Sequence, residues 1–422
     1  MLAMFSTPSA PVSTSNNILL IIDPQNDFTD HPGEKKGSLA VDGALKDYEK
    51  IVKMLESHPT FFDQIHVSLD THTPQHIGHP GFWKVISMDD KVTSQTEITA
   101  VPNSIYRLSI DEAGTINGEN IVPVAYSPGT ARYIKVVPRS DFLRDYVKTY
   151  LKWFDTHENT HGQRCYVWKQ HCIENDDGHK VSEPLKSKLD EMGDKVTYHI
   201  KGQNNLAEMY SIFKAEKPLT NEEMQDEILK PYIYTGSKAI KGENAKTYDD
   251  VTTLKNLNTE LNEELLKQLL GDKGENQNRV YICGEARTHC VKSSVIDLLE
   301  YATKGGYDTT KIILLKDATS PIPGTPNDIL RIMTGKTVKD VDMREFDADE
   351  KKTGFDYSNH NYGKLYYDAR AINTTDIAVK GNRIEGGSRK KGKTTKSRTR
   401  KNKKSSRNKR SNNKKPRSKK IR

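Results

Sequence analysis

Short apolar runs, each followed by a longer amphipathic stretch, set the tightest limit on how this 422-residue chain can fold. Residues 18–22 (ILLII) read as a buried strand ending at Asp23, and residues 42–57 as a helix with Ala44, Ile51, Met54 and Leu55 on one face. The alternation continues with strands at 64–69, 132–137, 164–168, 196–200, 280–283 and 311–315 and helices at 140–155, 181–192, 251–270 and 290–302. Strand–helix alternation predicts an α/β fold, a Rossmann-like three-layer α/β/α arrangement around a mainly parallel sheet. Such sheets bind ligands at the carboxyl ends of their strands. Asp23, Asp70, His171 and Lys201 all follow predicted strand ends.

The predicted domain covers residues 18–345, after a small, polar segment at 1–17 that reads as disordered. Two stretches look inserted: 84–130, with weak periodicity, and 217–250, polar and charged. Both suit either a lid or a solvated insertion. Residues 346–386 read as a peripheral segment. From Gly387 the composition cannot build a core and reads as a disordered Lys/Arg-rich tail. Residues 389–422 hold 19 Lys/Arg and no Asp or Glu, whereas the whole chain is only +8, so an acidic body precedes a basic tail. Such a tail suits salt-sensitive contact with nucleic acid or an anionic surface, or nuclear targeting, and it has no aromatics for base stacking. Residues 387–394 match G-x-x-x-x-G-K-T literally, but no strand precedes them and no helix follows, so a nucleotide site is not expected. No hydrophobic signal segment and no run of the roughly 20 apolar residues needed for a bilayer span is found. An intracellular location, cytoplasmic or nuclear, is therefore expected, with free thiols at Cys165, Cys172, Cys283 and Cys290.

The chemistry-bearing residues cluster in a few places. Asp70 and His72, two apart at a strand end, point to the same side and could share a cation. His76 and His79 follow, and His171 is a candidate third ligand from a separate strand end. Nitrogen plus carboxylate ligation suits zinc, with manganese or iron as alternatives. Cys290 follows a strand and a glycine turn and begins a helix, where the helix N-terminus favours a thiolate and backbone N–H groups can hold an oxyanion. A buried, inert thiol is the commoner fate of such a cysteine. Asp23 could serve as a base toward that thiol and Lys201 could hold both charges, although a strand-end acid or lysine is usually a solvated turn residue.

Five segments, in order, resemble the motifs of the nicotinamidase/isochorismatase-like cysteine hydrolases. Leu20 to Phe28 resembles the opening strand with its D-x-Q-x-D-F turn, and Asp70-Thr71-His72 the D-x-H metal segment. Trp168-Lys169-Gln170-His171-Cys172 resembles W-P-x-H-C, Lys201-Gly202 with Tyr210-Ser211-Ile212-Phe213 resembles the lysine segment, and Gly284 to Val291 resembles the G-x-A-x-x-x-C-V nucleophile turn. The resemblance spans about residues 18–323 and implies an isochorismatase-like fold. It implies Asp23, Lys201 and Cys290 as a catalytic triad. Asp70, His72 and His171 would bind a divalent metal, with His76 a further ligand or water partner. The N–H groups of Ala286 and Cys290 would form an oxyanion hole, with a cis peptide before Ala286. Phe28 and Trp168 would wall a pocket for a flat ring.

The activity so implied is hydrolysis of nicotinamide or a similar small amide through a thioester, and the family leaves a homo-oligomer open. Two alternatives stand beside it: hydrolysis of a non-amide, isochorismate-like substrate, and a binding protein tethered to nucleic acid by its tail. The chain departs from the family pattern at Lys169, where proline is usual, and in the extra residues between Lys201 and Tyr210.

Overall fold

The computed structural model describes residues 15–33, 36–89, 91–92, 104–121, 131–156, 158–234, 257–322, 329–334 and 369–377. The first half of the chain runs β1 (Asn17–Ile22), α1 (Ala44–Ser57), β2 (Gln64–Asp70), β3 (Trp83–Met88), β4 (Lys91–Val92), β5 (Tyr106–Ile110), β6 (Ile116–Asn120), β7 (Tyr133–Pro138), α2 (Arg144–Trp153), β8 (Tyr166–Val167), α3 (Leu185–Met192) and β9 (Val196–Lys201). The second half runs α4 (Asn221–Gln225), α5 (Lys230–Ile233), α6 (Glu263–Leu270), β10 (Arg279–Gly284), α7 (Cys290–Gly305), β11 (Ile312–Leu315), α8 (Ile329–Thr334) and β12 (Arg370–Ile372).

Six strands, in the order β12-β11-β10-β1-β2-β9, form an all-parallel sheet, as the sequence predicts. Ile18 to Ile22 are fully buried at its centre, because a parallel strand covered on both faces has no polar side to show. From β1 the chain steps through α1 to β2 on one side, while from β10 it steps through α7 to β11 on the other. Parallel crossovers are right-handed, so these opposite steps put α1 and α7 on opposite faces. The strand order therefore switches between β1 and β10, where a crevice opens at the carboxyl ends. β1 and β10 run in register to Ile22 and Gly284. A Cβ on Gly284, whose φ is +105°, would meet the Ile22 carbonyl oxygen at 2.1 Å, so this close approach demands glycine.

The described part of the expected insertion at 84–130 is mostly sheet. β4-β3-β7-β6-β5-β8 form a second, antiparallel six-stranded sheet with a hydrophobic core of its own, including Trp83, Val85, Leu108, Ile134, Val136 and Tyr150. The strands expected at 132–137 and 164–168 exist as β7 and β8, but in this sheet and not in the parallel one. The expected helix at 251–270 narrows to α6: Asn262 caps it by accepting from the Leu265 N–H at 3.1 Å, 258–262 is not helical, and 251–256 lies outside the described residues. The helix expected at 181–192 begins at Leu185, because Val181 bridges to Gln25 and Pro184 holds the N-cap. Within 346–386, Arg370–Ile372 forms the edge strand β12, paired with β11. In the expected insertion at 217–250, the described part carries α4 and α5. The tail from Gly387 and its G-x-x-x-x-G-K-T match lie outside the described residues. No described helix is long and apolar enough to cross a membrane. All four cysteines are buried and unpaired.

A buried charge cluster fastens the inserted region to the parallel core. His161, before β8, bonds Glu216 (2.9 Å) through Nδ1 and Asp297 of α7 (2.8 Å) through Nε2, and Lys214 reaches Asp297 at 3.0 Å. Burial opposes the charge on His161, but Asp297 and Glu216 outweigh it and raise its pKa from 6.5 to about 10. A pKa raised on folding gives stability that is present in full below about 6.5 and is lost as pH rises through about 10. Urea denaturation should therefore show stability falling between pH 7 and 10. His161→Ala, which strands two buried carboxylates, should cost roughly 3–5 kcal/mol at pH 7 and flatten that dependence.

Candidate active site

The topology delivers four of the candidate side chains to one place. Asp23 directly follows β1, Asp70 ends β2 and Lys201 ends β9, with Asp70 and Lys201 as register partners. Cys290 opens α7 after the Gly284 turn, and the Glu285–Ala286 peptide is cis, as the family resemblance implies. Asp23 takes a left-handed φ of +45°, a strained conformation for a side-chain-bearing residue and common at functional sites.

Lys201 is the centre of the arrangement and is 1% exposed. Its Nζ lies 3.1 Å from Asp23 Oδ2, 2.9 Å from Asp70 Oδ1 and 3.8 Å from Cys290 Sγ, and donates to the Met209 carbonyl at 2.9 Å. Burial works against its charge, yet Asp23, Asp70 and Cys290 outweigh burial and hold the ammonium protonated. Burial raises the Asp23 pKa above the usual carboxylate range against the pull of Lys201. Burial likewise pushes the Cys290 thiol well up, with Lys201 opposing and Asp23 and Asp70 adding to the rise. Ser68 fixes the Asp23 carboxylate by donating to Oδ1 at 2.6 Å, and its Oγ accepts from the Asp23 N–H at 3.0 Å.

Beside this group lies a cluster of imidazoles. His72 Nδ1 donates to the Gly202 carbonyl at 2.9 Å, which turns Nε2 toward Asp70 Oδ2, also at 2.9 Å. A neutral ring so oriented would set a lone pair against a carboxylate oxygen, so a proton or a cation must lie between them. Burial disfavours the His72 cation, but Asp70 outweighs it and raises the pKa. His171 donates from Nδ1 to the Lys169 carbonyl at 2.7 Å, leaving Nε2 3.6 Å from the same Asp70 Oδ2. One carboxylate oxygen and two imidazole nitrogens converge, a donor set that fits zinc or a similar divalent cation. Among the described residues, the groups of three whose ligand atoms all lie within 4.8 Å of one another are His72 with His79 and His171, and His72 with His76 and Glu208; Asp70 is in neither and meets His72 and His171 only pairwise. His79, however, bonds the Thr73 carbonyl through Nδ1 (3.2 Å) and turns Nε2 to His171 Nδ1 (3.2 Å), which makes it an orienting partner of His171. His76 accepts from the Gly78 N–H and bonds the Ala207 carbonyl, both at 3.1 Å. Its ring is tilted against His72 at 4.1 Å between centroids, and both of its nitrogens have protein partners.

The structure thus brings Asp23, Lys201, Cys290, Asp70, His72 and His171 together. Phe28 lies against His171 (ring centroids 5.4 Å) and Trp168 against His289 (5.0 Å), so the two expected pocket walls stand at opposite ends of the site. Sequence reasoning missed the supports. Gln25 clamps Asp70: it accepts the Asp70 N–H at 2.8 Å and donates to the Asp70 carbonyl at 2.8 Å. Asp27 accepts the Cys172 N–H at 2.7 Å and so anchors the His171 loop. Glu208 is buried beside His72, and burial raises its pKa to about 7. Gln25 and Asp27 stood inside a motif already noted. Ser68 had its own signal, a polar residue two before Asp70 on the same side of an apolar strand.

The electrostatics make opposite predictions for two variants. Lys201→Met removes the cation that favours the thiolate, so the pH midpoint for iodoacetamide alkylation of Cys290 should move up. Asp23→Asn removes an anion that disfavours it, so the midpoint should move down. Mass spectrometry of the labelled peptide reads both shifts.

No protein-family model matches the chain, and no curated protein does. Among solved structures, a yeast nicotinamidase bound to the inhibitor nicotinaldehyde matches with 19% identity and a TM-score of 0.38, over 75% of this chain and 93% of its own. An Acinetobacter baumanii nicotinamidase/pyrazinamidase matches with 14% identity and a TM-score of 0.38, over 86% of this chain and 99% of its own. A Pyrococcus horikoshii pyrazinamidase in complex with zinc matches with 15% identity and a TM-score of 0.35, over 85% of this chain and 99% of its own.

Proposed function

We propose that this protein is a metal-containing cysteine amidohydrolase of the nicotinamidase/isochorismatase-like kind, cleaving nicotinamide or a similar small amide through a thioester on Cys290. The observation that carries this reading is the buried Lys201 ammonium shared by Asp23, Asp70 and Cys290. A buried lysine beside a thiol and two carboxylates has little structural value that apolar packing would not supply better. It does suit a proton moving between a thiol and a carboxylate under a fixed positive charge.

Asp23 takes the proton of the Cys290 thiol, and the sulfur attacks the amide carbon. Lys201 stabilises the charged groups throughout. The N–H groups of Ala286 and Cys290, at the entry to α7, hold the oxyanion. Protonated Asp23 then gives its proton to the nitrogen as the C–N bond breaks and ammonia leaves. Asp23 next takes a proton from water, whose oxygen attacks the thioester carbon. As the C–S bond breaks, that proton returns to sulfur and the acid departs. The raised pKa of Asp23 suits a group that must both accept and return a proton. Asp70, His72 and His171 would hold the metal, which when bound supplies Lewis acidity toward water or a substrate nitrogen.

Ammonia release from small amides tests this directly. Cys290→Ala and Asp23→Ala should each lower it by about 10³-fold or more, while the proteins stay folded. Removing the metal with a chelator should lower activity, and zinc should restore it, with metal content measured on the same samples. A metal-free protein with full activity would overturn the role given to Asp70, His72 and His171. No ammonia from any small amide would overturn the amidase reading.

A further inference from the structure

The turn that carries the nucleophile is laced to the segment after β11, 316–322. The Gly284 N–H donates to the Ala318 carbonyl at 3.0 Å, and the Arg287 N–H to the Ser320 carbonyl at 2.8 Å. Arg287 Nε donates to the Thr319 carbonyl at 3.0 Å, and Thr288 Oγ1 accepts from the Ile322 N–H at 3.1 Å. Glu285 completes the lacing with its side chain: Oε2 accepts from the Ser320 N–H at 3.1 Å. Glu285 and Arg287 therefore hold both backbone polar groups of Ser320. Ala286, whose N–H is assigned above to the oxyanion, lies between them.

A carboxyl group is an unusual choice for that task. Glu285 is 0% exposed, and among the described residues its Oε1 has no hydrogen-bond partner. Beside it lies Asp47 of α1, whose Oδ1 faces Lys50 at 3.2 Å and whose Oδ2 accepts from the Ser320 hydroxyl at 2.5 Å. Asp47 thus has the cation and the hydroxyl donor that a buried carboxylate needs, whereas the donor to Glu285 is one backbone N–H. Arg287 does not pair with Glu285, because its guanidinium donates to the carbonyls of Thr319 and Lys316. A second buried anion beside Asp47 would be costly in such a place. Burial, reinforced by the Asp47 charge, raises the Glu285 pKa well above the usual carboxylate range, against the Ser320 N–H. The side chain is therefore an uncharged acid, which offers Ser320 an acceptor and sets no negative charge behind the oxyanion hole.

We infer that Glu285 is a positioning residue for the oxyanion hole: as an uncharged carboxyl it grips Ser320 and so keeps the Ala286 N–H aimed at the oxygen on which charge develops. The inference rests on the amidase reading and adds to it a residue that acts through its neighbour and not on the substrate. A preorganised donor loses much of its value when its direction slackens. The loss falls on the transition state, where the oxygen carries its charge, so kcat should suffer and KM should not.

The measurement is kcat and KM for ammonia release from the small amide that the wild type hydrolyses best. Beside it runs the rate at which iodoacetamide alkylates Cys290, a displacement at a methylene group that forms no oxyanion. Glu285→Leu removes the acceptor for the Ser320 N–H. Its kcat should fall roughly 10–100-fold, with KM and the alkylation rate each within about twofold of the wild type. Glu285→Gln keeps an oxygen for that N–H and adds no charge, so its kcat should stay within about twofold of the wild type. An unchanged kcat in Glu285→Leu overturns the inference. A parallel fall in hydrolysis and alkylation overturns it too, because the whole turn has then been disturbed. So does a Glu285→Gln variant as slow as Glu285→Leu, since a neutral oxygen is then not enough. Should Glu285→Leu fail to fold, Glu285→Asp takes its place: it is one methylene too short to reach Ser320, and a wild-type kcat for it overturns the inference. No ammonia from any small amide with the wild type is a different failure: it overturns the amidase reading and this inference with it.

Discussion

A buried ammonium is the constraint on which the site depends. Lys201 carries its charge at 1% exposure, where an unpaired cation would be far too costly to keep. It stays because Asp23, Asp70 and the Met209 carbonyl surround it at 2.9 to 3.1 Å. Each neighbour arrives from a different element, so the charge can be satisfied only when β1, β2 and β9 end at the same level. The register that makes Asp70 and Lys201 partners is therefore a condition on the chemistry as well as on the sheet. Gly202 extends that condition, since a Cβ there would meet Asp70 Oδ1 and His72 Cε1, each at 2.8 Å.

Asp70 joins the two halves of the site. Its Oδ1 faces Lys201, while Oδ2 faces His72 and His171. The charges of His72 and Lys201 outweigh burial and hold its pKa well below the usual carboxylate range, so it remains an anion shared between two demands. A divalent cation at the histidines would draw on the same carboxylate and weaken its hold on Lys201. More of the ammonium's field would then fall on Asp23 and Cys290, the groups that exchange a proton in the proposed mechanism. In that reading metal binding and thiol acidity would be coupled through this one side chain, although the cation itself need not touch the sulfur.

How much of this was legible in the sequence depended on whether a feature was local. The parallel core was legible because a strand buried on both faces is uniformly apolar over four or five residues, as in Ile18–Ile22 and Ile312–Leu315. The residues proposed for catalysis and cation binding were legible as five ordered motifs, since each sits at or shortly after a strand end or at a helix start. The antiparallel sheet was not. Lys84, Arg107 and Ser109 take outward positions as an alternating strand requires, but a β-bulge between Val85 and Ser87 leaves Ser87 buried and breaks the period in β3, and β3 pairs with β7 and β5 with β8 across long gaps in the chain. Edge strand β12 was hidden because three residues, exposed or half-buried, are too few to carry a period. Ser68 and Gln25 stand at places a local pattern marks, but their partners lie some 45 residues away, so the pattern shows the residue and not what it holds.

The inserted sheet also alters how the site divides its work. Asp23, Asp70, Lys201 and Cys290 all belong to the parallel core, whose carboxyl ends fix their spacing. Tyr166 and Trp168, which face His289, belong to β8 and the turn after it, and His171 follows in the same loop. From the same stretch Gln163 donates to the Thr288 carbonyl at 2.9 Å and His161 grips Asp297, so the insertion is fastened to the nucleophile turn and to α7 at two points. A shift of that stretch would move Trp168 and His171 together while leaving Asp23, Lys201 and Cys290 in place. In the proposed mechanism proton transfer would then be set by the register of one sheet, and substrate shape and cation geometry by how the other docks against it, the two varying separately as long as His161 keeps both carboxylates paired.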